Sequence, residues 1–470
     1  MCSERRPGLW LVALCAAGLC ACAPVPYQAR PIDAEASARA FGERSESAPG
    51  LAQFAAGAGY AGSWPPAQWR LEELSLAAIY FSTEVRVARG QAAVARAELN
   101  TAAQRPPFGV QPLVEHHSNG LEPSQPWSVG VALELPWVTT GRREARAERA
   151  SMLDEAAQLD VAQAVWRARA WVRDSLIDLL DARRRLAALE ARLAARAQMR
   201  ALVMRRVELG AMSSRDLGQE DLALGEVESG VAFERARVQE AQSRLAQALG
   251  LPQDTAQRIA VADEPFAPAD AVTEPSRARA LALRNRLDVR RRLLEFGAAD
   301  AEVKLAVASQ YPELSLSPGY LWDQGDNVWS LAANIVLPTG SRAQALVREA
   351  QARRELAARV FEAQQVAVIG ETGQAFTRAQ SARAVSEAAA RQAELARAQF
   401  ARVEKLFAAG GADRMDLTAA RLSALAAQDR EREAGIARLR AIAALEDALQ
   451  RPILGALGPL PPVADSEGGR

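Results

Sequence analysis

Past residue 22 the sequence contains no cysteine; its four cysteines are Cys2, Cys15, Cys20 and Cys22. The body of the chain therefore carries no disulfide framework and no cysteine-based metal site. Histidine is almost as scarce, with two residues, so acid–base chemistry that depends on imidazole has little material. Aromatic residues make up only 5% of the chain. A compact enzyme of this length packs more of them, whereas long helices in close contact need fewer because alanine lets their backbones approach. Neither sign of charge is in surplus: 57 basic residues face 57 acidic ones, while a nucleic-acid-binding surface shows a basic excess. There is no Walker loop, dinucleotide glycine fingerprint, HExxH or nucleophile elbow. These absences point away from an enzyme and a nucleic-acid binder, and no cofactor or resident metal is expected. Without a phosphate loop or a set of spanning helices, any energy has to come from a partner.

The cysteines that do occur are explained by the N-terminus. Arg5 and Arg6 precede a short apolar run, Leu9 to Leu19, which is too short for a membrane span and has the length of a signal-peptide core. It ends in Leu19-Cys20-Ala21-Cys22, which resembles a bacterial lipobox. Residues 1–21 are then a signal peptide of the lipoprotein type, and cleavage leaves Cys22 as the lipidated N-terminus of an anchored envelope protein. A plain secretory signal with incidental cysteines is the alternative, and it too exports the chain.

What the sequence has in abundance is self-similarity, at a period near 200 residues. Gly210 to Leu217 (GAMSSRDL) matches Gly410 to Leu417 (GGADRMDL), and Trp127-Ser128 to Leu135-Pro136 matches Trp329-Ser330 to Leu337-Pro338. A period this long implies duplication of a whole subdomain rather than a solenoid. Each copy predicts a helix (about 68–104 and 274–310) and two strands (about 107–117 with 127–137, and 312–322 with 328–338). A very long helix (about 140–209 and 340–409) and a return helix (about 214–249 and 414–450) complete it. The organisation that follows is an extended N-terminal segment over 22–66, a first repeat over 67–251, a linker over 252–273, a second repeat over 274–452 and a disordered tail over 453–470.

The strands are read from alternation. Trp127, Val129, Val131, Leu133, Leu135 and Trp137 share one face, and Ser128, Gly130, Ala132 and Glu134 the other. Trp329, Leu331, Ala333, Ile335 and Leu337 repeat the pattern, as do Leu314, Leu316, Tyr320 and Trp322. One interpretation is a half-buried antiparallel sheet; the other is a transmembrane β-barrel wall with Trp127, Trp137, Trp322 and Trp329 as membrane-interface aromatics. The export signal favours the barrel. Four strands cannot close a membrane barrel, which needs at least about eight, and open edges cannot face lipid. Several copies of the chain would have to share one barrel. The adjacent His116 and His117 point to opposite faces of a strand and cannot readily chelate one ion together.

In the first long helix Val165, Val172, Leu179, Leu186 and Leu193 recur every seven residues, the spacing of a coiled-coil seam. Such a helix would span roughly 100 Å at 1.5 Å per residue. The run Arg183-Arg184-Arg185 is read as a solvated face. Gly210 and Gly410 can end helices in the left-handed conformation, and Ser213 with Asp216, like Asp413 with Asp416, has capping-box spacing. The aspartates are therefore helix caps, a role compatible with lining the far end of a duct.

This ordered combination resembles the TolC family of outer-membrane factors, from about Trp69 to Pro452. It is carried by the tandem helix–strand–strand–helix–helix unit, the two Gly…Asp-Leu turns, and the Leu-Pro…Thr-Gly strand exits at Leu135–Gly141 and Leu337–Gly340. The Trp69 to Leu74 stretch and Thr139-Thr140-Gly141-Arg142-Arg143 are similar to its heavy-metal efflux branch. The resemblance implies a mainly α fold with a small β part. Long coiled-coil helices would form an α-barrel, with four strands contributed to a shared transmembrane β-barrel in a homotrimer. It implies a passive outer-membrane exit duct for metal ions or drugs, working with a periplasmic adaptor and an inner-membrane RND transporter and surrounded by outer-membrane lipid. Gly210, Asp216, Gly410, Asp413 and Asp416 would then form the periplasmic tip and pore constriction, with the 117–126 loop outside. A duct for type I protein secretion, or a periplasmic coiled-coil adaptor, is the alternative. An adaptor has one helical hairpin, whereas this chain predicts two.

Overall fold

The computed structural model describes residues 25–118, 126–137, 141–266 and 274–455. The signal segment with Cys2, Cys15, Cys20 and Cys22, Thr139-Thr140, most of the 117–126 loop, the end of the linker and the tail beyond 455 lie outside the described residues. The chain divides into two units. Residues 25–44 belong to the first, which holds helix α1 (Ala34–Gly42), capped by the Asp33 side chain accepting from the Ala36 amide at 3.0 Å. Everything else belongs to the second.

The second unit begins with α2 (Pro49–Gly57), where proline opens the helix and Leu51, Phe54 and Ala55 are buried. The stretch expected to be extended over 22–66 thus holds two helices. Proline at the first helical turn starts a helix rather than breaking one. Next come α3 (Leu71–Phe81) and α4 (Thr83–Ala102). One helix was expected here; Ser82 interrupts it in extended conformation, and its side chain accepts from the Val85 amide at 3.2 Å. A serine that bonds a nearby amide competes with helix continuation.

Strands β1 (Gly109–His116) and β2 (Trp127–Trp137) follow, then α5 (Arg142–Glu208), α6 (Ser214–Leu249) and the short α7 (Gln253–Gln257). The second half runs α8 (Pro275–Asn285), α9 (Leu287–Ala308), β3 (Glu313–Asp323), β4 (Asp326–Val336), α10 (Gly340–Ala408) and α11 (Arg414–Leu449). Here too the predicted single helix is broken. Arg286 is extended at ψ 117, and its guanidinium binds Asp288 at 2.5 Å and Glu371 of α10 at 3.0 Å. The long helices have 67 and 69 residues, and each is followed by a 36-residue return helix. At 1.5 Å per residue the long ones reach about 100 Å.

Val165, Val172 and Leu179 of the heptad seam are buried in the larger core, together with α2, α3 and parts of α6 and α11. Leu186 and Leu193 are half-buried, so the seam loosens toward the far end. A smaller core joins α8, α10 and α11 around Val368, Phe376 and Leu449. The segment read as a linker returns to the first repeat: Trp69 donates to the Ala260 carbonyl at 2.8 Å, and Ala262 donates to the Trp69 carbonyl at 3.0 Å. The four strands form one antiparallel sheet in the order β1-β2-β3-β4, leaving β1 and β4 as its edges. No helix among the described residues is long and apolar enough to cross a membrane.

Candidate functional site: an open sheet and two hairpin tips

The sheet exposes both of its faces. Register sets Val129 opposite Trp322, Val131 opposite Tyr320, Tyr320 opposite Trp329 and Pro318 opposite Leu331. Directly opposed residues share a face, so the predicted apolar sets of β2, β3 and β4 merge into one apolar surface. Val110, Pro112 and Val114 extend it through β1. The tryptophans Trp127, Trp137, Trp322 and Trp329 all lie on it. Trp137 stands at the end of β2 that leads into α5, and the other three stand near the opposite rim. Trp329 is 79% and Leu331 73% exposed. A sheet buried on one side in its own chain would not leave such residues bare.

The reverse face is the more polar one, although Leu113, Leu321, Val328 and Val336 also lie on it. Glu134 accepts from Gln111 at 3.2 Å and from the Ser315 hydroxyl at 3.4 Å. The rings of His116 and His117 part as expected. His116 packs on Trp127 with 4.6 Å between ring centres, whereas His117 reaches the Ser128 hydroxyl at 2.9 Å. Where sheet gives way to helix, Arg142 bonds Glu313 and donates to the Tyr311 carbonyl at 2.7 Å. That guanidinium ties the start of α5 to the start of β3.

At the other end of the long helices the two turns are built alike. Gly210 has φ 73 and Gly410 φ 77, a left-handed conformation that a side chain would strain. Three residues further on, each capping box is complete. The Asp216 carboxylate accepts from the Ser213 amide at 3.0 Å, and the Asp416 carboxylate accepts from the Asp413 amide at 3.0 Å. The Asp416 amide in turn donates to Asp413 at 2.8 Å. Asp413 also binds Arg206 of the first hairpin at 2.5 Å, which joins the two tips. Hydrogen bonds from the Ser213 hydroxyl and amide hold the Asp216 carboxyl below its ordinary range. The Asp416 backbone amide and then Arg206 do the same for Asp413.

A buried ionic cluster was not foreseen. Arg169 and Arg173 of α5 meet Glu446 and Asp447 of α11, and Arg169, Arg173 and Glu446 are almost wholly buried. Glu446 also accepts the amides of Ile453 at 2.6 Å and Leu454 at 2.7 Å, while Arg169 donates to the Gly455 carbonyl at 3.1 Å. Residues 453–455, assigned to a disordered tail, are instead clamped onto the core. Nearby, Asp181 of α5 gathers Arg237 of α6 and Arg432 and Arg440 of α11. Arginines four apart on one helix were the only sequence signal for this cluster; their acidic partners lie more than 270 residues away.

Residues 278–450 match the family model described as Outer membrane efflux protein. Among solved structures, the fold is similar to the outer membrane protein VceC of Vibrio cholerae, with TM-score 0.66 and 19% identity over 81% of this chain and 95% of that one. It is also similar to the Campylobacter jejuni CmeC outer membrane channel, with TM-score 0.64 and 14% identity over 92% and 94% of the two chains. The open state of the Neisseria gonorrhoeae MtrE outer membrane channel gives TM-score 0.62 and 17% identity over 81% and 89%. At these identities the likeness is one of fold. No curated protein matches the sequence.

Proposed function

We propose that the chain is the outer-membrane exit duct of a tripartite efflux system, a reading supported by the match of residues 278–450 to the family model described as Outer membrane efflux protein. The observation that carries this reading is the sheet, with an open apolar face and two edges, β1 and β4, that have no neighbour among the described residues. Backbone groups on such edges cannot face lipid unpaired. Three copies, each contributing its four strands, satisfy them by closing one shared barrel whose apolar surface meets outer-membrane lipid. In this reading the two long hairpins of each copy stand in the periplasm. Exposed Leu346, Leu356, Val366, Val385 and Leu395 on α10 support packing of that helix against neighbouring copies. Lipidated Cys22 anchors the assembly. The Gly210 and Gly410 tips meet a periplasmic adaptor and, through it, an inner-membrane RND transporter. The cargo is metal ions or drugs, and the duct is passive.

Purified from membranes, the protein should have the mass of a trimer and conduct in a planar bilayer. A monomer that leaves the bilayer insulating overturns the proposal. Growth of a deletion strain then sorts the cargo. Hypersensitivity to zinc, cobalt, cadmium or copper alone assigns metal export, and hypersensitivity to hydrophobic drugs alone assigns multidrug export.

The tips give a second expectation. Asp416 is exposed and Asp216 half-buried while both cap their helices. Asn keeps a carbonyl oxygen for each cap and removes the charge. The double variant Asp216→Asn, Asp416→Asn should therefore assemble normally yet lose several-fold in cation-over-anion preference. Unchanged reversal potentials in a salt gradient would show that these carboxylates cap helices and do not line the pore.

A further inference from the structure

One cross-strand row on the polar face differs from the others. Glu115 of β1 lies opposite Ser128 of β2, Ser128 opposite Asp323 of β3, and Asp323 opposite Asp326 of β4. Three carboxylates thus stand in a single row at the rim where both hairpins turn. Like charges directly opposed across a sheet repel, and none of the four strands contains a lysine or arginine. Among the described residues, the one cationic side chain in reach is His117, whose Nε2 lies 3.6 Å from Asp323 and 4.0 Å from Glu115. On the other face His116 is turned away against Trp127.

The hydrogen bonds fix which form of the ring is present. The Ser128 hydroxyl has one proton and donates it to Asp323. Toward His117, 2.9 Å away, the same oxygen can only accept, so Nε2 carries a hydrogen and protonation occurs at Nδ1. Protonation then leaves this contact intact and adds a full positive charge between two carboxylates. Imidazoles gain that charge between about pH 8 and pH 5.

We propose that His117 with the Glu115–Ser128–Asp323–Asp326 row is a proton-operated clasp that fastens the β1–β2 hairpin to β3 and tightens in acid. The rim is held by hydrogen bonds alone when the ring is neutral and by an added ion pair to each flanking carboxylate when it is charged. The clasp depends on the sheet and not on what passes through it, so its failure and that of the efflux reading are separable.

Amide exchange of His117 reads it directly, because this amide donates to the Pro126 carbonyl at 2.7 Å and closes the hairpin. With the detergent-solubilised full chain, and after correction for intrinsic exchange, protection of His117 should rise at least threefold from pH 7.5 to pH 5.5. His117→Gln retains an N–H donor for Ser128 and should hold its protection constant over that range. The variant Glu115→Gln, Asp323→Asn retains the histidine and should also lose the rise. Conversely, a wild-type rise that persists in either variant, or no rise in the wild type, overturns the clasp. Protection at residues Leu176 and Leu179 of α5 serves as the check that each variant is folded.

Discussion

Glu446→Ala lowers the unfolding free energy by about 3–5 kcal/mol, the cost of breaking a buried ion pair from one side. The side chain is fully buried and serves four donors: Arg169, Arg173 and the amides of Ile453 and Leu454. Alanine leaves two almost wholly buried guanidiniums with less counter-charge and two amides without their acceptor. Asp447, which binds Arg173 at 2.6 Å, offsets only part of the loss because it does not serve Arg169 in this arrangement. The same site sets an acid limit. Burial pushes the Glu446 carboxyl up, but Arg169, the Leu454 amide and Arg173 together hold it below the ordinary glutamate range. A carboxylate depressed on folding contributes stability that is complete above its unfolded value, about 4.3, and is lost as pH falls through its lower folded value. Glu446→Gln should therefore be less stable than wild type at pH 7 and show a shallower decline below pH 4. Urea midpoints at fixed protein concentration measure both effects. A loss under about 1 kcal/mol for the alanine variant would mean that water or Asp447 replaces the carboxylate.

How much of this was legible in the sequence depended on the range of the interaction. Strand faces follow from a period of two, and register then aligned Trp322 with Val129 and Trp329 with Tyr320. Capping boxes span three residues, and both turned out complete. Val165, Val172 and Leu179 are buried as their heptad spacing predicts. Legibility failed where composition was taken for conformation. The 22–66 stretch was read as extended from its Pro and Gly content, although Asp33 and Pro49 are helix-start signals. Ser82 and Arg286 fall inside continuous helical patterns, and each break depends on backbone geometry that periodicity does not register. The Glu446 cluster was invisible for another reason. Its partners are brought together by the packing of α11 on α5, and an acidic residue near a helix C-terminus looks like any surface residue. Position 450 shows the limit of reasoning by repeat. Gly250 ends α6 in the left-handed conformation, and its counterpart Gln450 adopts the same conformation with a side chain. There the amide group accepts from Leu287 at 2.6 Å and donates to Gln163 at 2.7 Å, contacts that no glycine makes.

The largest effect is expected on the sheet, where two neighbouring substitutions should behave in opposite ways. Leu331 lies mid-strand on the apolar face opposite Pro318, and Ala332 lies on the polar face opposite Ser317. If the apolar face meets lipid, Leu331→Arg places a charge near the bilayer midplane at about 2–4 kcal/mol per copy. Three copies in one barrel incur that cost together, so membrane-inserted trimer should be all but lost. Ala332→Arg directs its charge into the lumen; it should assemble and conduct, with weakened cation preference. In a sheet bathed by water on both sides, neither change would exceed about 0.5 kcal/mol, as for ordinary surface positions. Fractionated membranes probed for heat-resistant trimer separate these cases, and the bilayer conductance of Ala332→Arg completes the contrast. Equal assembly of the two variants would remove the membrane from the account of this sheet. Loss of both would point instead to tight packing on each face. Only the asymmetric outcome follows from a barrel wall, because only lipid on one side and water on the other distinguishes two adjacent exposed residues.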